Sequence, residues 1–226
     1  MRPAECRDNQ ILTDEEVGAI LQAAYEVDQE LGFDGDLYRI VVCLAATGAR
    51  YAQVGRMRVG DAQVSARRLM VPGSYKGRGG NSGLDPVPVG DDVIDVLLPP
   101  IAGRPSDAPL FERWIHEQEP GGIAWKKSER GPWKRGELAR PWKAIRERAG
   151  MREVIPYALR HSSIVRGLRR GLPIQQVAKL HNTSVKMIER HYAKYIATAL
   201  EGLARAAVVS LVPRSGGNVV PMGKRA

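Results

Sequence analysis

Two arginines, a lysine and a tyrosine stand in short segments that together carry a chemistry. Arg50 ends Thr47-Gly48-Ala49-Arg50, and Lys76 lies in Tyr75-Lys76-Gly77-Arg78. Arg160 lies in Tyr157-Ala158-Leu159-Arg160-His161, and Tyr192 ends Glu189-Arg190-His191-Tyr192. A further segment, Leu180-His181-Asn182-Thr183-Ser184, falls between the last two. These residue types suit the breaking of a phosphodiester without a metal. Cations fixed around the phosphate must hold the charge that builds in the transition state. Arginine stays protonated at any working pH, and its planar fork grips two phosphate oxygens. A tyrosine hydroxyl starts from a pKa of about 10; positive neighbours lower it, and an adjacent base helps remove the proton. The departing oxygen needs a proton in turn, which a nearby lysine supplies.

Composition agrees without deciding. The 226 residues carry a formal net charge of +9, with 43% hydrophobic and 26% charged residues, an ordinary globular balance with a lean toward polyanionic partners. The length suffices for one substantial core. Of the two cysteines, Cys43 sits in the apolar run Val41-Val42-Cys43-Leu44-Ala45 and Cys6 in a polar tail. This argues against a disulfide or a cysteine metal site and for a reducing, cytoplasmic setting. No segment approaches the ~20 apolar residues of a membrane span. His161, His181 and His191 are too widely spaced for a helix-borne zinc pair, so no metal or other cofactor is expected. Gly77-Arg78-Gly79-Gly80 lacks the strand, lysine and helix of a phosphate-binding loop of NTPases.

The elements that must position these residues can be read from capping and periodicity. Thr13 to Glu16 form a capping box, and Val17, Ile20, Leu21, Ala24 and Val27 recur at helical spacing, which predicts a helix over about 13–30. A second apolar helix runs from about Leu37 to Thr47 and ends at Gly48, leaving Arg50 just beyond a helix end and facing a cleft. Between 59 and 89, Val64, Leu69, Val71 and Val87-Pro88-Val89 alternate with polar residues and glycine turns, predicting a small antiparallel sheet with Lys76 near one tip. Asp91-Asp92 opens a short helix to about Leu98. Residues 99–132 read as irregular, with a short helix near Phe111 to Trp114. Helices follow at about 134–149, 157–170, 173–180 and 184–195. A last amphipathic helix carries Ile196, Leu200, Leu203, Ala207 and Leu211 on one stripe. The fold class is thus mainly α with a small antiparallel β-sheet.

Taken in order, the segments resemble the tyrosine recombinase (phage integrase) family. Thr47-Gly48-Ala49-Arg50 resembles its T-G-x-R, Tyr157 to His161 its H-x-L-R-H, Lys76 its β-hairpin lysine, and Ser184 to Tyr192 the helix that bears the nucleophile. The likeness runs from about residue 11 to 197. It implies the integrase catalytic-domain fold, with Arg50 and Arg160 clamping the phosphate of double-stranded DNA and Lys76 as general acid. Tyr192 would attack to give a 3′-phosphotyrosyl link, so that DNA is cut and rejoined with neither metal nor ATP. The family's later His/Trp position falls on His181, with Asn182 as the alternative one residue on. Tyr157 stands where histidine is usual, and a phenol there orients better than it accepts protons. Gln53 stands where an acid commonly braces the first arginine.

Other expectations are set beside these. His161 reads as a structural hydrogen-bonding residue, and Tyr195, three residues after Tyr192, as packing. Trp133 and Trp142 read as core. Arg78, Lys126, Lys127, Lys134 and Arg135 are candidate contacts to the DNA backbone. The expected organisation is a tail over 1–10, a catalytic domain over 11–212 and a basic tail over 213–226, with no separate N-terminal core-binding domain. The 196–212 helix is expected to mediate self-association on DNA. Two alternatives remain: a non-catalytic DNA-binding module of the same fold, and a topoisomerase IB-like enzyme that nicks and reseals one strand.

Overall fold

The computed structural model describes residues 8–74 and 83–209. Helix α1 (Asp14–Leu31) opens on the expected capping box: Glu16 N donates to Thr13 Oγ1 at 3.2 Å, and Thr13 N donates to Glu16 Oε2 at 2.8 Å. It stops at Gly32, whose φ of 67° is left-handed. Helix α2 (Asp36–Thr47) is buried on most of its circumference, through Leu37, Ile40, Val41, Cys43 and Leu44, and forms the central post of the fold. Its cap, Gly48, is also left-handed, and a single-turn helix α3 (Tyr51–Val54) follows directly.

The predicted sheet has strands β1 (Ala62–Gln63), β2 (Arg68–Pro72) and β3 (Leu84–Pro88), antiparallel in that order, with Leu69 opposite Val87 and Val71 opposite Asp85. Leu69, Val71 and Val87 are the buried members, so the face expected from alternation is the one that packs. Helix α4 (Asp91–Ile101) runs past the expected end at Leu98 and takes Pro99 and Pro100 into its last turn.

Residues 99–132 depart from expectation. In place of irregular chain and a short helix near Phe111, strands β4 (Glu112–Gln118) and β5 (Trp125–Pro132) form a second antiparallel hairpin. Its residues lack an apolar alternation because polar ties hold it to the body. Trp114 Nε1 and Lys127 Nζ both donate to Asp34 Oδ2, at 2.8 and 2.7 Å; Arg130 pairs with the buried Asp36 at 2.7 Å, and Arg113 pairs with Glu137. Asp34 and Asp36 lie 80 to 94 residues away in sequence, where periodicity cannot see them.

Helices α5 (Ala139–Arg148), α6 (Ala158–Arg169) and α7 (Ile174–Leu180) match predictions, apart from α5 starting later than expected. Helix α8 (Val185–Ala206) merges the two helices expected after residue 184, with a break in helical geometry at Tyr192 (φ −130°, ψ 19°). Leu211 and the basic tail lie outside the described residues. The buried side chains form two clusters. A large one joins α1, α2, the first sheet, α4, α5 and the start of α6; a smaller one joins Ile164, Val165 and Leu168 of α6 to Val177, Ile188, Tyr192 and Tyr195. Helix α6 therefore spans both, and the seam between them is where the chemistry-bearing side chains meet.

Candidate active site

A cavity of about 820 Å³ opens on this seam, lined among others by Arg50, Tyr157, Arg160, His161, Asn182 and Tyr192. The first wall is the turn after α2. Thr47 Oγ1 donates to Cys43 O and accepts from Ala49 N, which fixes the turn. Gly48 is demanded twice: by its φ of 60°, and by space, since a Cβ there would lie 2.8 Å from the His181 ring and from Ser163 Cβ. The turn aims Arg50 inward, where its Nη1 donates to Asn182 O at 3.3 Å. Gln53 does not brace that guanidinium. Its Oε1 accepts from the Arg50 backbone N at 3.0 Å, and its Nε2 donates to Pro72 O at 2.7 Å, so it ties the turn to β2.

Arg160 is 3% exposed and sits at the centre. Its Nη1 donates to Gly48 O at 2.9 Å and its Nη2 to His181 O, so two carbonyls on opposite walls hold the fork in one plane. Burial, followed by the charge of Arg50, pushes its pKa downward, against the attraction of the Tyr157 and Tyr192 phenols. Among the described residues no carboxylate pairs with either guanidinium; Asp85, which also lines the cavity, accepts from Asn182 Nδ2 at 2.8 Å. Two cations facing one cavity, neither neutralised by an ion pair, suit an anion.

His181 and Asn182 differ in their hydrogen bonding. His181 is 5% exposed, with Nδ1 2.8 Å from Val177 O and Nε2 2.9 Å from Ser163 Oγ. A carbonyl only accepts, so Nδ1 carries the proton and Nε2 accepts from Ser163. Burial holds this ring's pKa near 4, leaving it neutral. So held, His181 has no proton to offer a phosphate. Asn182 is the residue that lines the cavity, in the left-handed region at φ 46°, and its Oδ1 accepts from Ser74 N at 2.9 Å. Together with the bond to Asp85, this ties the α7–α8 corner to β3 and to Ser74, just past β2, on either side of the chain segment that contains Lys76. Lys76 and Arg78 themselves lie outside the described residues.

Tyr192 lines the cavity and Tyr195 does not; the Tyr195 hydroxyl donates to Asp8 Oδ1 at 2.7 Å, and the adjacent Lys194 pairs with the same carboxylate at 2.8 Å. Tyr192 Oη lies 2.6 Å from His161 Nδ1. His161 is hydrogen-bonded, as the sequence led one to expect, and its partner is the Tyr192 hydroxyl; it follows Tyr157 by four residues, one helical turn, and so shares its face of α6. Tyr157 lies edge-on to His161 with centroids 4.9 Å apart, and the Arg160 guanidinium sits 5.8 Å from the Tyr157 ring centre.

The candidate DNA contacts fall elsewhere. Lys126 is exposed on β5 opposite Glu117, Lys127 is engaged with Asp34 and Trp114, and Lys134 and Arg135 are exposed on the turn before α5. None of the four lines the cavity. Trp133 and Trp142 are buried as expected, Trp133 stacked on Phe33 and Trp142 donating to Val154 O.

Comparison with known proteins bears on this arrangement. The fold is similar to that of XerA recombinase (TM-score 0.63, 18% identity, covering 92% of this chain and 68% of that one). It is similar also to the catalytic domain of bacteriophage HP1 integrase (0.55, 16%, covering 86% and 93%). A third likeness is to the Tn1549 transposon integrase in complex with transposon right end DNA (0.57, 16%, covering 88% and 66%). No curated protein matches the chain by sequence. Residues 10–197 match the model of the phage integrase family. That span takes in every segment gathered at the cavity, and the chain belongs to the phage integrase family, with the fold of a tyrosine recombinase catalytic domain.

Proposed function

We propose that this chain is a site-specific DNA strand transferase. In this reading a phosphodiester of double-stranded DNA docks between Arg50 and Arg160, and Tyr192 Oη attacks the phosphorus. The P–O5′ bond breaks, leaving a 3′-phosphotyrosyl link and a 5′ hydroxyl, for which Lys76 supplies the proton. A 5′ hydroxyl from another strand then attacks the same phosphorus, expels Tyr192 and joins new partners. The ester keeps the bond energy, so the cycle needs no ATP. The observation that carries the reading is the convergence of two guanidiniums, neither paired with a carboxylate among the described residues, on the cavity that Tyr192 lines.

Other features fit the proposal. In this reading Asn182, rather than His181, donates to a phosphate oxygen through the amide hydrogen that Asp85 does not take. Lys126, Lys134 and Arg135 are exposed and suited to backbone contacts outside the scissile site. Leu200 and Leu203 are exposed on the distal stripe of α8, which suits packing on a second copy bound to the same DNA. Among the described residues no helix is long and apolar enough to cross a membrane, and the proposed work on DNA would be done in the cytoplasm, with the nucleoid.

The test is strand joining. The chain is incubated with a pool of nicked duplexes of randomised sequence and a labelled 5′-hydroxyl strand. Joined product that disappears in Tyr192→Phe supports the proposal. Resealing confined to the original strand would indicate a nicking-closing enzyme, and DNA binding with no cut product a non-catalytic module.

A further inference from the structure

We infer that His161 is the base that takes the proton of Tyr192, in the place of the histidine that Tyr157 replaces. The inference rests on the strand-transfer reading above and assigns a catalytic role to a residue that the family pattern does not. His161 Nδ1 stands 2.6 Å from Tyr192 Oη, within hydrogen-bond reach of the reacting atom itself. The two rings are tilted by 53° with centroids 5.8 Å apart, so the contact is made edge to edge through the heteroatoms. Tyr157, one turn earlier on α6, lies edge-on to His161 and helps fix its plane.

The imidazole is in the form the step needs. Burial, followed by the charges of Arg160 and His191, pushes its pKa down to about 4, so that it is neutral and accepts. The titratable and charged groups around it are Tyr157 and Arg160 on its own helix and Tyr192 and His191 on α8. Arg50 and Lys179 line the same cavity from the α2–α3 turn and α7. A neutral ring protonated on Nε2 accepts the phenol hydrogen at Nδ1. As the Oη–P bond forms, that proton passes to Nδ1 while the P–O5′ bond breaks and the leaving oxygen is protonated from the opposite side. In the joining step the imidazolium returns its proton to Oη as Tyr192 leaves. A phosphate held on the arginines offsets the repulsion from Arg160 and raises the basicity of His161 when the substrate is bound. Phenolate charge passes to phosphorus as it forms, so a base weaker than free phenolate is sufficient.

The test measures the rate of covalent adduct formation from pH 5 to 9 in the full chain and in His161→Ala and His161→Gln, on the same nicked duplex pool. The parent is expected to show a rate nearly flat above pH 6. Both variants should bind DNA and unfold at the parent's temperature, but react about a hundredfold slower, with a rate rising tenfold per pH unit as hydroxide replaces the lost base. Glutamine keeps a hydrogen-bond acceptor without basicity, so a His161→Gln form with the parent's rate and flat profile would reduce His161 to a positioning residue and overturn the proposal. An unchanged rate in His161→Ala would overturn it too. A parent that forms no adduct anywhere in this range sinks both this proposal and the strand-transfer reading, whereas an adduct insensitive to His161 sinks this one alone.

Discussion

At the scale of single residues, two features of Arg160 bear on its role. Its fork is held by two carbonyls from opposite walls, and its charge is buried beside that of Arg50. Lysine cannot reproduce the planar fork. Arg160→Lys is expected to cut adduct formation by about 10²–10³, the range for losing one donor at a developing anion; single-turnover rates on nicked duplex check it, and a loss below tenfold would mean that the charge alone matters. Lys76 is tested through the bond it is proposed to break. Lys76→Ala should slow cleavage of ordinary DNA strongly, yet cleave at the parent's rate a substrate whose scissile 5′ oxygen is replaced by sulfur, because a thiolate leaves without a proton. Equal slowing on both substrates would remove Lys76 from the acid's role.

At the scale of elements, the corners matter more than the helices they join. Gly48→Ala would place a methyl 2.8 Å from the His181 ring in a left-handed backbone. Such strain and overpacking cost about 1–3 kcal/mol each, so the variant should lose stability of that order in denaturant titration and slow catalysis, because the same turn aims Arg50. Asn182→Gly keeps the left-handed backbone but removes the side-chain ties to Ser74 and Asp85. It should leave DNA binding near the parent's level while slowing cleavage, through a loosened α7–α8 corner; unchanged cleavage would separate that corner from the chemistry. These corners also explain what the sequence discloses. Thr47-Gly48-Ala49-Arg50 is legible because cap, turn and arginine are contiguous. The helices over 14–31 and 36–47 are legible because a cap and an apolar stripe coincide. The β4–β5 hairpin is not, because Asp34, Asp36 and Glu137 hold it from other parts of the chain. The burial of His181 in hydrogen bonds likewise depends on Ser163 and Val177, which no motif includes.

At the scale of the molecule, the two clusters of buried side chains meet where the cavity opens, and two neutral histidines are built into that seam. Burial lowers both His161 and His181 from 6.5 to about 4. Below pH 6.5 the unfolded chain binds protons on these rings that the folded chain refuses until about pH 4. Stability should therefore fall as the pH drops through that window. The loss is at most about 3 kcal/mol for His181 and smaller for the more accessible His161. Asp36, whose carboxyl is raised by burial, opposes the trend only near the acid end. Urea unfolding from pH 7 to 4 checks this, and a flat profile would mean that the rings are protonated in the fold. The apolar stripe of distal α8 belongs to the same scale: Leu200→Asp with Leu203→Asp should abolish assembly on DNA while leaving the monomer folded.

The cavity, in this proposal, serves to make Tyr192 a nucleophile. The most direct measurement is covalent trapping on nicked duplex DNA, with denaturation and peptide mapping of whatever DNA remains attached. A 3′-phosphoryl linkage on Tyr192 is expected, absent in Tyr192→Phe and present in Tyr195→Phe. An adduct mapped to Tyr195 or Tyr157, or one that persists in Tyr192→Phe, would contradict it.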